Sequence, residues 1–212
     1  KKISIHFKDL PLWFIKKTSD WDKLNKKNFL NNYYNMPSIH IVFKKNEHLL
    51  SFDKKLIKTS SRSGFLDEKI KIENIKSYLD GYWWIQDFSS SLPLIDITST
   101  LLKGKNIDLC GAPGGKSFQV LSMGKEIVVN DVNKKRIETL KLNLDRLKLK
   151  SKIMNYDILE MNLKEKYDFI ILDAPCSSLG TIRRNPELFF KIKEPNFIKI
   201  TKLQEDLLNV AS

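Results

Sequence analysis

Cysteine is nearly absent from this 212-residue chain, which holds Cys110 and Cys176 and no others. Two cysteines cannot form a disulfide framework, and neither has a second Cys or a His at metal-ligand spacing. Disulfide-stapled scaffolds and zinc ribbons are thereby excluded, no metal is expected, and a reducing cytoplasm is the expected compartment. Long apolar runs are missing too. None approaches the roughly 18 residues needed to cross a bilayer, so no membrane partner is expected. The opening "KKISIHFKDLPLWFIKK" has no uninterrupted apolar stretch followed by small residues, so it does not read as a secretory signal. There is no internal repeat and no low-complexity linker, which excludes solenoids. Acidic side chains are in deficit, 25 against 37 Lys plus Arg, for a net charge of +12 and a pI near 9.5. That excess favours an anionic partner, nucleic acid first. All but five of the basic residues are lysine, so compositional drift accounts for the excess equally well, and charge alone does not decide.

What is present divides into two textures. Hydrophobic residues make up 42%, enough for a substantial core. Residues 1–80 read as a small α+β domain. Leu12 to Tyr34 has helical spacing, "SIHIVF" (Ser38 to Phe43) alternates as a strand, Asn46 to Ile57 reads as a further helix, and "SRSGF" (Ser61 to Phe65) as a turn. Residues 81–212 carry a strand–turn–helix rhythm. Strands are expected over 105–110, 126–130, 152–155 and 167–172, with helices from Gly115 to Met123 and from an Asn133 cap. In the second helix Ile137, Leu140, Leu144 and Leu147 recur on one face. A final helix over 195–211 carries Ile200, Leu203, Leu207 and Val210 on one side. Alternating β and α predicts an α/β fold, a parallel Rossmann-like sheet with helices on both faces.

The first strand runs into "DLCGAPGGKSFQ" (Asp108 to Gln119), whose Gly115-Lys116-Ser117 is how a phosphate-binding P-loop ends. The full pattern, G-x-x-x-x-G-K-S/T, requires glycine at position 110, which is Cys110. Pro113 also removes one N–H from any phosphate cradle. The dinucleotide fingerprint G-x-G-x-x-G fails as well, because Gly111, Gly114 and Gly115 are spaced differently. What survives is a strand end, a glycine turn that lets a ligand approach the backbone, and a helix start.

Ligands of such sheets sit beyond the carboxyl ends of the strands. The expected strand ends bring the glycine turn and three carboxylates to one rim. Asp131 is placed for a ribose diol or, alternatively, as a helix cap. Asp157 is placed for an adenine amino group or as a turn aspartate. Asp173 opens "DAPCSSLGTIRRNP", where Pro175 and Cys176 stiffen the turn and Arg183 and Arg184 follow. A carboxyl group and a thiol beside a nucleoside-bearing sulfonium suit methylation of a pyrimidine at carbon 5. A thiolate adds at carbon 6, the acid supports ring nitrogen 3, and a base then removes the carbon 5 proton. On these residues alone Cys176 is the nucleophile.

"DLCGAPGGKS" and "DAPCSSLGTIRRNP" resemble the two signature motifs of the RsmB/Nop/Sun family of S-adenosylmethionine-dependent RNA (cytosine-5) methyltransferases. "WIQDFSSSL" upstream and "KLQEDLLNVA" downstream are similar to the family in the same order, and "DLPLWFIKK" resembles the start of the small domain of its bacterial 16S rRNA branch. The resemblance covers 81–212 well and the preceding region loosely. It implies that Cys110, Gly111, Ala112, Pro113, Gly114, Gly115 and Lys116 line the methionine and ribose side of the cofactor. Asp131 then holds the ribose hydroxyls, Asp157 the adenine, and Asp173 lies between cofactor and target base. Gly111 stands where the family more often has alanine. The resemblance also moves the nucleophile to a Thr-Cys-Ser motif expected after Ser212, making Cys176 the residue that helps release the methylated product. Arg183 and Arg184 are implied phosphate contacts on a single-stranded or looped RNA, with ribosomal RNA favoured. Trp83 and Trp84 are candidates for base stacking or for the core. Two rival readings stand beside this one, a P-loop-like NTPase and a non-catalytic RNA-binding module.

Overall fold

The computed structural model describes residues 6–212 except 36, 69, 96, 98, 99, 161–164 and 192. By their contacts these residues form two compact units, 1–37 with 176–203 and 38–175 with 204–212. The division therefore does not run at residue 80.

The first unit opens with α1 (Leu12–Lys17) and α2 (Lys23–Tyr34). The single helix expected over Leu12 to Tyr34 is broken between them for two local reasons. Thr18 Oγ1 donates to Phe14 O at 2.7 Å, closing α1, and Asp22 caps α2 by accepting from Asn25 N at 2.6 Å. An aromatic cluster fills this unit. Phe14 and Phe189 meet edge to face at 4.8 Å between centroids, and Tyr33 Oη donates to Pro186 O at 3.1 Å.

The second unit contains two sheets. β1 (His40–Phe43) is followed by α3 (Asn46–Leu50), β2 (Leu56–Ser60), β3 (Ser63–Leu66), α4 (Ser77–Asp80) and β4 (Trp83–Ile85). These strands form an antiparallel sheet in the order β2-β3-β1-β4. The helix expected over Asn46 to Ile57 stops at Leu50, because Leu56 and Ile57 pair with Leu66 and Phe65 instead. The turn expected over Ser61 to Phe65 is likewise shorter, since Ser63 to Phe65 lie in β3. Side-chain hydroxyls close this hairpin. Ser63 Oγ lies 2.8 Å from Thr59 Oγ1 and 2.7 Å from Ser60 Oγ. Trp83 and Trp84 are 0% and 2% exposed, so both serve the core and neither is free to stack on a base.

After α5 (Phe88–Ile95) comes the expected strand–turn–helix rhythm. It comprises β5 (Asn106–Asp108), α6 (Gly115–Ser122), β6 (Val128–Asn130), α7 (Lys134–Leu147), β7 (Ile153–Met154) and β8 (Phe169–Ile171). All four strands are parallel, in the order β7-β6-β5-β8, and each is shorter than its expected range. Asn133 caps α7 as expected, accepting from Arg136 N at 3.2 Å. The face of α7 carrying Ile137, Leu140, Leu144 and Leu147 is buried, and Leu140, Leu144 and Leu147 share a core with Val129, Val120 and Phe118. Each such side chain contributes roughly 1.5–3 kcal/mol through removal from water. The chain then returns to the first unit with α8 (Leu188–Lys191). The last helix, α9 (Phe197–Ala211), belongs to the first unit up to Leu203 and to the second from Gln204. Of the four α9 residues expected on one apolar face, Leu207 is buried, whereas Val210 is 36% exposed.

Candidate functional site

The site grows out of β5, whose last residue, Asp108, is followed by the glycine turn. That turn is held from several sides. Gly111 N donates to Asn130 O at 2.9 Å, and Ala112 N donates to Asp131 Oδ2 at 3.2 Å. From α7, Arg136 donates to Ala112 O and pairs with Asp131 Oδ2 at 3.2 Å, while Asn143 Nδ2 donates to Pro113 O at 3.4 Å. Gly114 has φ of 115°, and a Cβ there would lie 2.1 Å from Phe118 Cζ. No side chain is compatible with that position.

Asn130 was invisible to motif reasoning yet ties the strand ends together. Its Nδ2 donates to Leu109 O and to Tyr156 O, both at 3.1 Å, and its Oδ1 accepts from Tyr156 N at 3.1 Å. The available signal was a polar residue ending the apolar run "EIVVN", since a buried amide must be fully partnered. Arg136 was missed for a different reason, because its partner Ala112 lies 24 positions away.

A cavity of about 330 Å³ opens over the turn. Of the residues expected to bind the cofactor, it brings together Cys110, Gly111, Ala112, Pro113, Gly115, Lys116 and Asp173, joined by Asp108, Gln86 and Arg136. Lys116 Nζ is 2.6 Å from Asp173 Oδ2, with the lysine side chain 14% exposed and the carboxylate 61%. Three expected residues are not among those lining it. Gly114 sits over the Phe118 ring. Asp131 is 2% exposed and also accepts from Asn133 N at 2.9 Å through Oδ1. Asp157 lies on the surface, and its Oδ1 accepts from Leu159 N at 3.0 Å, as in an Asx turn.

Cys176, Arg183 and Arg184 belong to the first unit. Cys176 is exposed and its Sγ accepts from Ser178 N at 3.4 Å. Arg183 Nε donates to Asn35 O at 3.2 Å on the surface of that unit.

Two titratable groups at the turn are both shifted upward. Burial pushes the Cys110 thiol up to about 11, reinforced by the Asp131 and Asp108 carboxylates. It therefore stays protonated at neutral pH and is a lining group rather than a nucleophile. Burial also pushes Asp108 up to about 6, against the opposing hydrogen bond from Ser117 Oγ at 2.7 Å and the nearby Lys116. Asp108 Oδ1 is buried with no partner among the described residues. The Ser117 hydroxyl is itself fully buried and committed to Asp108, so it is not available to a magnesium ion as a P-loop serine is.

A pH experiment follows. Asp108 has a folded pKa raised above the unfolded value of about 3.9. Its contribution to stability is thus fully present below pH ~4 and is lost as pH rises through about 6. Relative to Asp108→Asn, the wild-type chain is expected to lose on the order of 2 kcal/mol between pH 4 and pH 7. Denaturant titrations at several pH values measure this, and parallel profiles for the two proteins would contradict it.

Comparison with known proteins follows the same outline. The described parallel sheet and its helices are similar to the solved structure of PH0851, with a TM-score of 0.82 over 97% of this chain and 50% of that one at 23% identity. NSun6 from Pyrococcus horikoshii with SFG gives a TM-score of 0.57 over 72% of this chain and 42% of that one at 24% identity. At these identities the likeness establishes the fold alone, a Rossmann-like parallel sheet. Among curated proteins, Ribosomal RNA small subunit methyltransferase B of Shewanella oneidensis is 28% identical over 94% of this chain and 50% of its own length. Its namesake from Photorhabdus laumondii is 31% identical over 61% of this chain and 31% of its own length. The chain thus spans half or less of the length of these relatives. The model of the family described as 16S rRNA methyltransferase RsmB/F matches residues 102–212, from just before β5 to the end of the chain. With over half its length so matched, and with the glycine turn and Asp173 inside that span, this chain belongs to the RsmB/F family of 16S rRNA methyltransferases.

Proposed function

We propose that this chain is the cofactor-binding part of an enzyme that methylates carbon 5 of a cytosine in RNA, ribosomal RNA in particular, using S-adenosylmethionine. One observation carries the reading, the meeting of the glycine turn, Lys116 and Asp173 in a single cavity. Its volume lies within the roughly 300–1,000 Å³ typical of small-molecule sites. Gly111 and Gly114 let the turn itself pack down, since a Cβ would meet Val129 and Asp108 at the first and Phe118 at the second.

S-adenosylmethionine, when bound, supplies an electrophilic methyl group on a positively charged sulfur. The segment from Cys110 to Lys116 lines its methionine and ribose side. A carboxylate offers about four acceptor sites. Asp131 takes N–H groups from Ala112, Asn133 and Arg136, which leaves one Oδ1 lone pair for a ribose hydroxyl. Asp157 spends Oδ1 on Leu159 N, leaving Oδ2 for an adenine amino group. Asp173 supports ring nitrogen 3 of the target cytosine while charge develops there. Cys176, with its sulfur accepting from Ser178 N, assists product release, and the carbon 6 nucleophile is the cysteine of the Thr-Cys-Ser motif that the family resemblance implies. Arg183 and Arg184 contact RNA phosphates.

The test uses the protein extended past Ser212, 16S rRNA and a labelled methyl donor, followed by digestion and mass analysis of the nucleosides. Label in 5-methylcytidine is the expected result. Label in another nucleoside would overturn the reading, and RNA binding with no label would favour a non-catalytic RNA-binding module.

A further inference from the structure

Beside the turn, which Asp131 and the α7 residues Arg136 and Asn143 hold, lies a further residue with no assigned role. Gln86 follows β4 and is 7% exposed. Its backbone pairs with β1, where Gln86 N donates to His40 O at 3.3 Å and Gln86 O accepts from His40 Nδ1 at 2.9 Å. Its carboxamide is fully engaged. Nε2 donates to Ser90 O at 3.2 Å and to Gln119 Oε1 at 2.8 Å, and Oε1 accepts from Trp84 Nε1 at 2.9 Å. Gln119 in turn donates through Nε2 to Ser91 O at 3.1 Å. The carboxamide therefore joins β4, α5 and α6 through one buried amide pair.

That amide lies beside the first residue of α6. A Cβ at Gly115 would be 3.2 Å from Gln86 Cδ and 3.4 Å from Nε2, so any larger residue there would crowd the amide. Gly115 and Lys116 both line the cavity, and Lys116 reaches Asp173 from this same first helical turn. Where α6 starts thus depends on where the carboxamide sits, and a neutral amide is required there. A carboxylate in its place would face Ser90 O and Gln119 Oε1, two acceptors, with no proton to offer either.

We infer that Gln86 is a positioning residue for the cofactor turn, acting through its amide pair with Gln119 to fix Gly115 and Lys116 in the geometry that grips S-adenosylmethionine. This rests on the cofactor assignment proposed above. Gln119 is 3% exposed and is not among the residues lining the cavity, so it separates positioning from direct contact.

Calorimetric titration of S-adenosylmethionine against the 212-residue chain provides the test, using wild type, Gln86→Met, Gln119→Met and the double variant. Each single substitution is expected to weaken cofactor binding by roughly ten-fold, with the double variant weakened far less than the product of the two, because both remove one shared bond. Trp84→Phe, which deletes the donor to Oε1 and keeps an aromatic ring, serves should a methionine variant fail to fold, and it is expected to weaken binding in the same direction. Wild-type affinity in any folded member of this set would overturn the positioning role. Weakening by Gln86→Met with Gln119→Met unchanged would overturn it equally, in favour of direct contact. Failure of the wild-type chain to bind would instead strike the cofactor assignment, and the inference would fall with it.

Discussion

Asp173→Ala in the protein extended past Ser212 is expected to lower methyl transfer by roughly 10²- to 10⁴-fold, the range for removing a positioned acid–base or charge-stabilising group. Cofactor affinity is expected to change much less, by under about ten-fold. The asymmetry follows from geometry. Asp173 is 61% exposed and touches the cavity at one edge, where it holds Lys116 Nζ at 2.6 Å, whereas most of the lining is turn backbone that the substitution leaves intact. Removing the carboxylate frees Lys116 but does not move the turn, which hangs on Asp131, Arg136, Asn130 and Asn143. Single-turnover methyl incorporation and calorimetry on the same preparation separate the two effects. Wild-type incorporation from the alanine variant would remove Asp173 from the chemistry. Asp173→Asn, which keeps the size and one acceptor, is expected to fall between the two.

Gly114→Ala should act in the opposite sense, on binding and folding rather than on chemistry. The residue has φ of 115°, a conformation that L side chains rarely adopt, and its Cβ would lie 2.1 Å from Phe118 Cζ and 2.8 Å from Leu140 Cδ1. Neither neighbour can retreat, because both are packed in the core of the second unit, with Phe118 2% and Leu140 0% exposed. Strained backbone alone costs about 1–3 kcal/mol, and overpacking adds a similar amount. The variant is therefore expected to lose about 2–5 kcal/mol of stability and, where still folded, most of its cofactor affinity. Denaturant titration reads the first effect. A variant as stable as wild type would mean that the turn does not have the conformation described.

The parts of this fold that were legible in advance are those written in local patterns. The period of Ile137, Leu140, Leu144 and Leu147, the Asn133 cap, and short apolar strands ending in Asp or Cys each carry their own geometry, and together they placed the glycine turn and Asp173 on one rim. Parts that depend on distant partners were not legible. The Tyr33–Pro186 hydrogen bond spans 153 positions, so nothing local revealed that 176–203 folds with the N-terminal helices rather than with the sheet preceding it. The β2–β3 hairpin was hidden because Leu56 and Ile57 fit a helix as readily as a strand until Phe65 and Leu66 are available to pair with them. The roles of Asn130, Arg136 and Gln86 were hidden in the same way. Each is a polar residue whose meaning lies in which backbone groups it reaches, and only folding brings those groups within 3 Å or so. Ser117 shows the converse. Its Gly-Lys-Ser setting matches the end of a P-loop, while its hydroxyl is spent on a buried carboxyl group.

The most direct test is a crystal structure of this chain with S-adenosylmethionine bound. The sulfonium is expected over the Cys110–Lys116 turn, with its methyl directed toward Asp173. Density for the ligand away from the turn, or binding of a magnesium–nucleoside triphosphate with its phosphates on Lys116 in place of S-adenosylmethionine, would contradict the proposed site.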